Sequence, residues 1–94
     1  MIKIAEGVTK IGNDAFAGTG DKYIKIILPS TLKEIGDRAF YYCTSLTEIE
    51  IPDGVTSIGK QAFYRCFHLA RVNIPESVTS IGDGAFADCI NLRE

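Results

Sequence analysis

A segment that runs from Ile51 to Cys66 recurs along the chain, and this repeat constrains the fold more than any other feature of the sequence. Each copy contains an Ile-Gly pair followed by an Ala-Phe pair. The phenylalanines of the successive Ala-Phe pairs are 24, 23 and 23 residues apart. Self-similarity at a fixed period of this length is typical of solenoids, in which stacked copies bury a shared apolar face. The Ala-Phe phenylalanines are Phe16, Phe40, Phe63 and Phe86.

Each copy is predicted to begin with a short strand, because residues 46–51 end in an alternation of apolar and polar side chains. Pro52 then stops the strand, since proline has no N–H group to donate. The segment 60–66 is too short for an independent helix. We therefore expect a single α or 3₁₀ turn there, with Ala62, Phe63 and Cys66 pointing inward.

The order of these positions resembles the BspA-type leucine-rich repeat. The resemblance rests on Leu46-x-x-Ile49-x-Ile51-Pro52 and Val55-x-x-Ile58-Gly59-x-x-Ala62-Phe63-x-x-Cys66, and Leu69-x-x-Val72-x-Ile74-Pro75 matches again. The first copy departs from the pattern, with Ala5 in place of proline, no cysteine, and Tyr23 in the leucine position. The family implies a curved solenoid, often on bacterial or protist cell surfaces, that serves adhesion and protein recognition. It implies no shared catalytic residues.

The predicted fold is therefore a leucine-rich-repeat solenoid of four turns of about 23 residues. A short parallel β-sheet is expected on one side, with one short α or 3₁₀ turn in each repeat. The whole chain, residues 1–94, is predicted to be a single domain. The approximate repeat boundaries are 4–27, 28–50, 51–73 and 74–94.

Charge and hydropathy argue against two classes of partner. The net charge is only −2, so no basic field indicates nucleic acid. No apolar run approaches the roughly 20 residues of a membrane span, so membrane insertion is not expected. The N-terminus lacks the apolar stretch of a signal peptide. As given, the chain is predicted to be cytoplasmic; if it is excised from a longer protein, a cell-surface or secreted location is expected.

The sequence predicts no catalytic, metal or cofactor site. His68 is the only histidine, and it follows Cys66 by two residues, so a Cys–His nucleophile is conceivable. The repeat, however, places Cys66 in a buried column and His68 at a variable surface position. The cysteines lack the close pairs of structural zinc sites, and no phosphate-binding glycine motif occurs. We therefore expect no enzyme activity.

Two surfaces are candidates for binding a protein partner. The first is the exposed face of the strands, where the register aligns charged and polar side chains; the alternative is a solvated ladder of weak ion pairs. The second is an aromatic region confined to the two central repeats; the alternative is that its rings pack on their own turns. The first set is Lys25, Glu48, Arg71 and Glu94 in one column and Lys3, Ile27, Glu50 and Asn73 in the neighbouring column. The second set is Tyr41, Tyr42, Tyr64, Arg65, Phe67 and His68.

The predicted function is non-catalytic protein–protein interaction, similar to that of BspA-like surface or adhesion proteins. The alternative is a free-standing intracellular binder that inhibits a larger enzyme, for example a phage- or host-encoded antagonist. Terminal turns of a solenoid without polar caps expose core columns, so we also expect a homo-oligomer that forms through the ends. The residues expected at these contacts are Ile2, Ile4, Phe86 and Leu92.

Overall fold

The structure, a computed structural model, describes residues 1–20 and 22–92, which contain eight short β-strands. Every strand has two or three residues, and strands of two kinds alternate along the chain. Asp21, Arg93 and Glu94 lie outside the described residues, so the predicted place of Glu94 on the strand face is not described. The strands are β1 (Ile2–Lys3), β2 (Lys10–Ile11), β3 (Ile26–Ile27), β4 (Glu34–Ile35), β5 (Glu48–Glu50), β6 (Ser57–Ile58), β7 (Arg71–Asn73) and β8 (Ser80–Ile81).

The odd-numbered strands form the parallel ladder that the sequence predicts on one side of the solenoid. β1 pairs with β3, and β5 pairs with β7 in the register that sets Ile49 beside Val72. A single parallel bridge between Lys25 and Glu48 connects the two pairs. Alternation along β5 buries Ile49 and exposes Glu48 and Glu50, as expected for a strand with one face on the core.

A second ladder, which the sequence analysis did not predict, is formed by the even-numbered strands. β2, β4, β6 and β8 make one continuous four-stranded parallel sheet. Its register stacks Ile11, Ile35, Ile58 and Ile81, the isoleucines of the four Ile-Gly pairs. The sequence analysis treated this segment only as the source of a second inward residue, because two residues are too few to show the alternation of a strand.

The predicted α or 3₁₀ turn in each repeat is not supported, since no described residue lies in a helix. The segments 36–43 and 59–66, which we call the turn side, instead alternate two kinds of backbone hydrogen bond. Ala39 donates to Gly36 within its own turn, whereas Phe40 donates to Ala62 of the next repeat at 2.7 Å. Arg38 has a φ of 55°, which a right-handed helix excludes. The backbone here therefore stacks on neighbouring repeats rather than coiling on itself.

The core consists of the columns that the repeat register predicts, and the phenylalanine column runs through it. Phe40 and Phe63 are fully buried, with ring centroids 5.0 Å apart and an angle of 8° between the ring planes. Phe16 stacks on Phe40 and Phe86 on Phe63, at 5.4 and 5.1 Å. Both outer rings are only partly buried. The central repeats therefore supply most of the fully enclosed apolar surface.

The glycine of the Ile-Gly pair is required by close packing between repeats. A Cβ atom added to Gly59 would lie 2.5 Å from both the backbone nitrogen and the Oδ1 atom of Asp37. These atoms belong to the preceding repeat, and Asp37 Oδ1 accepts a hydrogen bond from the N–H of Lys60 at 2.9 Å. At Gly12, in the first repeat, an added Cβ would meet nothing within 4 Å.

All three cysteines are free, and each thiol contacts a backbone carbonyl in the preceding repeat. Cys66 Sγ donates to the carbonyl oxygen of Phe40 at 3.2 Å, and Cys43 makes the same contact with Phe16 at 3.3 Å. In the first repeat Thr19 stands in the cysteine position, with its hydroxyl 3.3 Å from Cys43 Sγ. Burial raises the pKa of the Cys43 thiol. The cysteine column thus satisfies carbonyl groups inside the core.

Candidate functional site

A groove of about 840 Å³ lies over β3, β5 and β7, and residues in the turns after β1, β3 and β5 also line it. We call this side of the molecule the strand face. Most of the residues in the first predicted set line the groove, namely Lys25, Ile27, Glu48, Glu50, Arg71 and Asn73. Lys3 is not part of the lining, and Glu94 lies outside the described residues.

The register of the strands determines the order of the charges in the groove. Lys25 and Arg71 lie on either side of Glu48, because Lys25, just before β3, bridges to Glu48 and β5 pairs with β7 there. This alignment confirms the predicted column from Lys25 to Arg71. All three side chains are exposed.

These side chains do not form the alternative arrangement, a ladder of cross-strand ion pairs. Among residues 1–20 and 22–92, the ion pairs are Lys10–Glu34 at 3.9 Å, Arg38–Asp14 at 2.9 Å and Arg65–Asp88 at 3.3 Å. None of them involves a residue of the groove. The groove charges are thus left without an internal counter-ion in the described part of the chain.

Sequence reasoning missed three polar residues of the groove, namely Glu6, Ser30 and Asp53. They occupy equivalent places two residues after the end of the strand motif, so extension of the repeat register into the turn would have found them. Glu6 accepts hydrogen bonds from the Ser30 hydroxyl at 2.6 Å and from the Ser30 backbone N–H at 3.0 Å. These two bonds lower the pKa of Glu6, so the carboxylate stays charged at neutral pH.

Asn73 differs from the charged residues of the groove because its side chain hydrogen-bonds the protein backbone. Its Oδ1 atom accepts a hydrogen bond from the N–H of Ile51 at 2.8 Å, and its Nδ2 atom donates to the carbonyl of Ile51 at 2.8 Å. The amide therefore continues the ladder where the backbone strand ends. Its polar atoms are engaged within the fold, as are those of Glu6 through Ser30.

The second predicted set is only partly brought together. The rings of Tyr41 and Tyr64 stack at 5.1 Å, and Tyr42 meets Tyr41 edge-on at 4.7 Å. The Arg65 guanidinium carbon lies 5.6 Å from the Tyr42 ring centroid and 5.5 Å from that of Tyr64, and Arg65 also pairs with Asp88. We call Tyr41, Tyr42, Tyr64 and Arg65 the tyrosine–arginine cluster. Its members are half-buried and contact one another across two repeats.

Phe67 and His68 do not join the tyrosine–arginine cluster through any aromatic or cation–π contact found among the described residues. His68 is exposed, with its Nδ1 atom 2.6 Å from the carbonyl oxygen of Thr44. The carbonyl oxygen of Phe67 accepts a hydrogen bond from Asn91 Nδ2 at 2.8 Å. These contacts, like those of the cysteine column, connect one repeat to the next.

The residues predicted to mediate self-association are not fully exposed. Ile2, Ile4, Phe86 and Leu92 are partly buried and pack against the core. Oligomerisation through them stays a prediction.

The two residues considered for catalysis, Cys66 and His68, lie in different surroundings. Cys66 is fully buried and its thiol donates to Phe40, whereas His68 lies on the surface against Thr44. Within the ranges 1–20 and 22–92, no group of three histidine, cysteine or acidic side chains is arranged to hold a metal ion. Over the same ranges, no helix has the length and hydropathy needed to cross a membrane.

Comparison with known proteins gives both a family and a set of similar solved structures. A family model described as BspA type Leucine rich repeat region (6 copies) matches residues 1–94. A leucine-rich repeat protein from Bacteroides ovatus is 36% identical over 99% of this chain, with a TM-score of 0.91. The T. pallidum leucine-rich repeat protein is 30% identical over 90% of this chain, with a TM-score of 0.76. The chain matches none of the curated proteins compared with it.

A third solved structure, a leucine-rich cell surface protein from Faecalibacterium prausnitzii, shares the fold at 24% identity over 98% of this chain, with a TM-score of 0.54. The alignments cover 24%, 50% and 46% of the three solved proteins, in the order given. The chain thus spans between about a quarter and a half of the length of the structures that it matches.

Proposed function

Since this chain belongs to the BspA-type leucine-rich repeat family, we propose that it is a non-catalytic module that binds a protein partner through the groove on the strand face. The observation that carries this proposal is the set of charged side chains in the groove that lack an internal counter-ion. Charged groups at an interface mainly steer encounter and select the partner, and they can do so only if the fold leaves them free.

The size and shape of the groove support the same function. At about 840 Å³ it spans at least three repeats, from Glu6 to Asn73. Solenoids use such extended concave surfaces to bind other proteins. The tyrosine–arginine cluster, by contrast, has its rings packed on one another and its guanidinium paired with Asp88.

We propose a cell-surface or extracellular setting, with a role in adhesion, because the family resemblance implies it. The alternative of an intracellular enzyme inhibitor rests only on the small size of the chain. Labelling of intact source cells with an antibody against the chain distinguishes these settings. The proposed setting predicts labelling without permeabilisation, and labelling that requires permeabilisation would favour the intracellular alternative.

Site-specific photo-cross-linking tests the binding surface. A photoreactive amino acid is placed at Ile27, which lines the groove, or at Tyr64 in the tyrosine–arginine cluster. Lys33, which is exposed and outside both surfaces, serves as the matched control. The proposal predicts protein adducts from position 27 in extracts of the source organism, with far fewer from positions 64 and 33. Adducts from position 64 alone would move the binding surface to the cluster, and equal adducts from all three would indicate non-specific contact.

A further inference from the structure

The charges that line the groove are divided between its two ends. Where the strands begin, Lys25 and Arg71 flank Glu48. Where the strands end and the chain turns, the charged residues that line the groove are Glu6, Glu50 and Asp53, all of them acidic. Along the strand direction, the groove therefore passes from a net positive end to a net negative end.

These groups are charged and available rather than consumed by the fold. None of them takes part in the ion pairs of the described residues. Glu6 accepts hydrogen bonds from Ser30, whose donors are neutral. The nearby charge of Lys3 also lowers the pKa of Glu6, but the two side chains are not among the ion pairs of the described residues. In contrast, Arg38 on the turn side is held by Asp14 at 2.9 Å.

The spacing of these groups fits an extended chain. Glu48 and Glu50 point to the same side of β5 and are about 6.6 Å apart along the strand. A partner segment in extended conformation presents alternate side chains to one side at the same spacing. Side chains on one face of a helix recur every three or four residues, about 5.4 Å along the helix axis, which fits the spacing of about 6.6 Å less well than an extended segment does.

On the premise of the proposed function, we propose that the occupant is an extended protein segment that carries charges of both signs. An acidic side chain contacts Lys25 or Arg71 to one side of Glu48, and a basic side chain, about two to five residues away along the segment, lies among Glu6, Glu50 and Asp53. The net charge of the whole chain, −2, would by itself favour a purely basic segment. The two cations at the positive end oppose such a segment, and this conflict makes the proposal specific.

A displayed library of random segments of about ten residues tests the proposal. The library is selected on the immobilised chain, and the recovered segments are measured against charge-reversed variants. We expect recovered segments to pair an acidic with a basic residue at that separation. They should bind Glu50→Lys and Arg71→Glu about tenfold more weakly than the unaltered chain. The control is Asp83→Lys, which makes the same charge change as Glu50→Lys at an exposed position outside the groove; we expect it to change affinity less than about twofold.

A charge exchange separates a direct contact from a general field. If the basic residue of a recovered segment is replaced by glutamate, its binding to Glu50→Lys should recover at least in part, because the pair is restored with opposite signs. Enrichment of purely basic segments, or equal losses with Glu50→Lys and Asp83→Lys, would overturn the proposal and indicate attraction to the net charge. Absence of any enriched segment would also count against it.

The library tests the charge pattern of the bound segment, and photo-cross-linking tests the binding surface, so either proposal can be rejected without the other experiment. Protein adducts at position 27 together with recovered segments that lack paired charges would leave the binding surface in place and reject only the charge pattern. Absence of adducts at position 27 would reject the proposed function itself, whatever the library gives.

Discussion

The two exposed sides of the solenoid use their polar residues in opposite ways. On the turn side, Arg65 lies over the rings of Tyr42 and Tyr64 and pairs with Asp88. On the strand face, Glu50 and Arg71 are exposed and have no ion-pair partner in the described residues. The difference separates residues that hold repeats together from residues that remain available to another molecule.

The largest effect is expected from the phenylalanine column next to the turn side. Phe63→Ala removes a fully buried ring that stacks on Phe40 and Phe86, and it should lower the free energy of unfolding by about 3–5 kcal/mol. Glu50→Ala on the strand face is the contrasting change and should stay within about 0.5 kcal/mol of the unaltered protein. Urea unfolding followed by circular dichroism measures both. Similar losses in the two variants would break the distinction between the sides.

Glycine to alanine changes sharpen the comparison within one column. Gly59→Ala should lower the free energy of unfolding by about 1–3 kcal/mol, because the new methyl group meets the backbone nitrogen of Asp37. Gly12→Ala makes the same chemical change where nothing lies within 4 Å, and it should stay within about 0.5 kcal/mol. The same urea titration tests the pair. If Gly12→Ala also lowers the free energy of unfolding strongly, these glycines are needed for their backbone conformation rather than for close packing.

The sequence predicted the register of the repeats better than the backbone within each repeat. The constant spacing of Phe40 and Phe63 determines which residues stack, so the buried columns and the alignment of Lys25, Glu48 and Arg71 followed directly. A helical turn was expected on the turn side because Ala62, Phe63 and Cys66 have helical spacing.

The missed features depend on contacts that spacing alone does not describe. The left-handed backbone of Arg38 and the hydrogen bonds between repeats exclude a helix on the turn side. Neither is apparent from residue type, because arginine and tyrosine seldom adopt a positive φ. Asp53 and Glu6 were missed because they lie in the turn after the strand, to which the sequence analysis did not extend the exposed columns.

A smaller effect is expected from the tyrosine–arginine cluster. Tyr64→Ala removes a half-buried ring that stacks on Tyr41 and supports Arg65, and it should cost about 1–2 kcal/mol of unfolding free energy. Tyr64→Phe keeps the ring and should be close to neutral. Thermal and urea unfolding of both variants provide the test. If Tyr64→Ala is as stable as the unaltered protein, the cluster is free surface and becomes a competing site for partner binding.

A charge reversal on the strand face should have a still smaller effect on stability. Glu48→Lys places three positive charges side by side in the column that begins with Lys25, and it should destabilise by about 0.2–1 kcal/mol. The loss should shrink in salt, because exposed charges are screened. Unfolding measured at low and high ionic strength checks this. A loss that does not depend on salt would imply a packing role for Glu48.

Alkaline pH should lower the stability of the folded protein slightly through the Cys43 thiol. Burial raises the pKa of Cys43 in the folded protein, so the unfolded chain releases this proton first. The contribution is fully present below the thiol's ordinary pKa of about 8.5 and is lost as the pH rises through the folded value. We expect the melting temperature to fall less steeply above about pH 8.5 in Cys43→Ala than in the unaltered protein. If the melting temperature falls equally steeply with pH in both proteins, the alkaline effect comes from other groups.

The distinction between the two sides can be measured most directly by hydrogen exchange in the presence and absence of the protein recovered by cross-linking. The account predicts that binding slows exchange of backbone amides in residues 25–28 and 48–53, which line the groove. It predicts little change in residues 36–43 and 59–66 on the turn side. Slower exchange confined to the turn side, with none over the groove, would contradict the account.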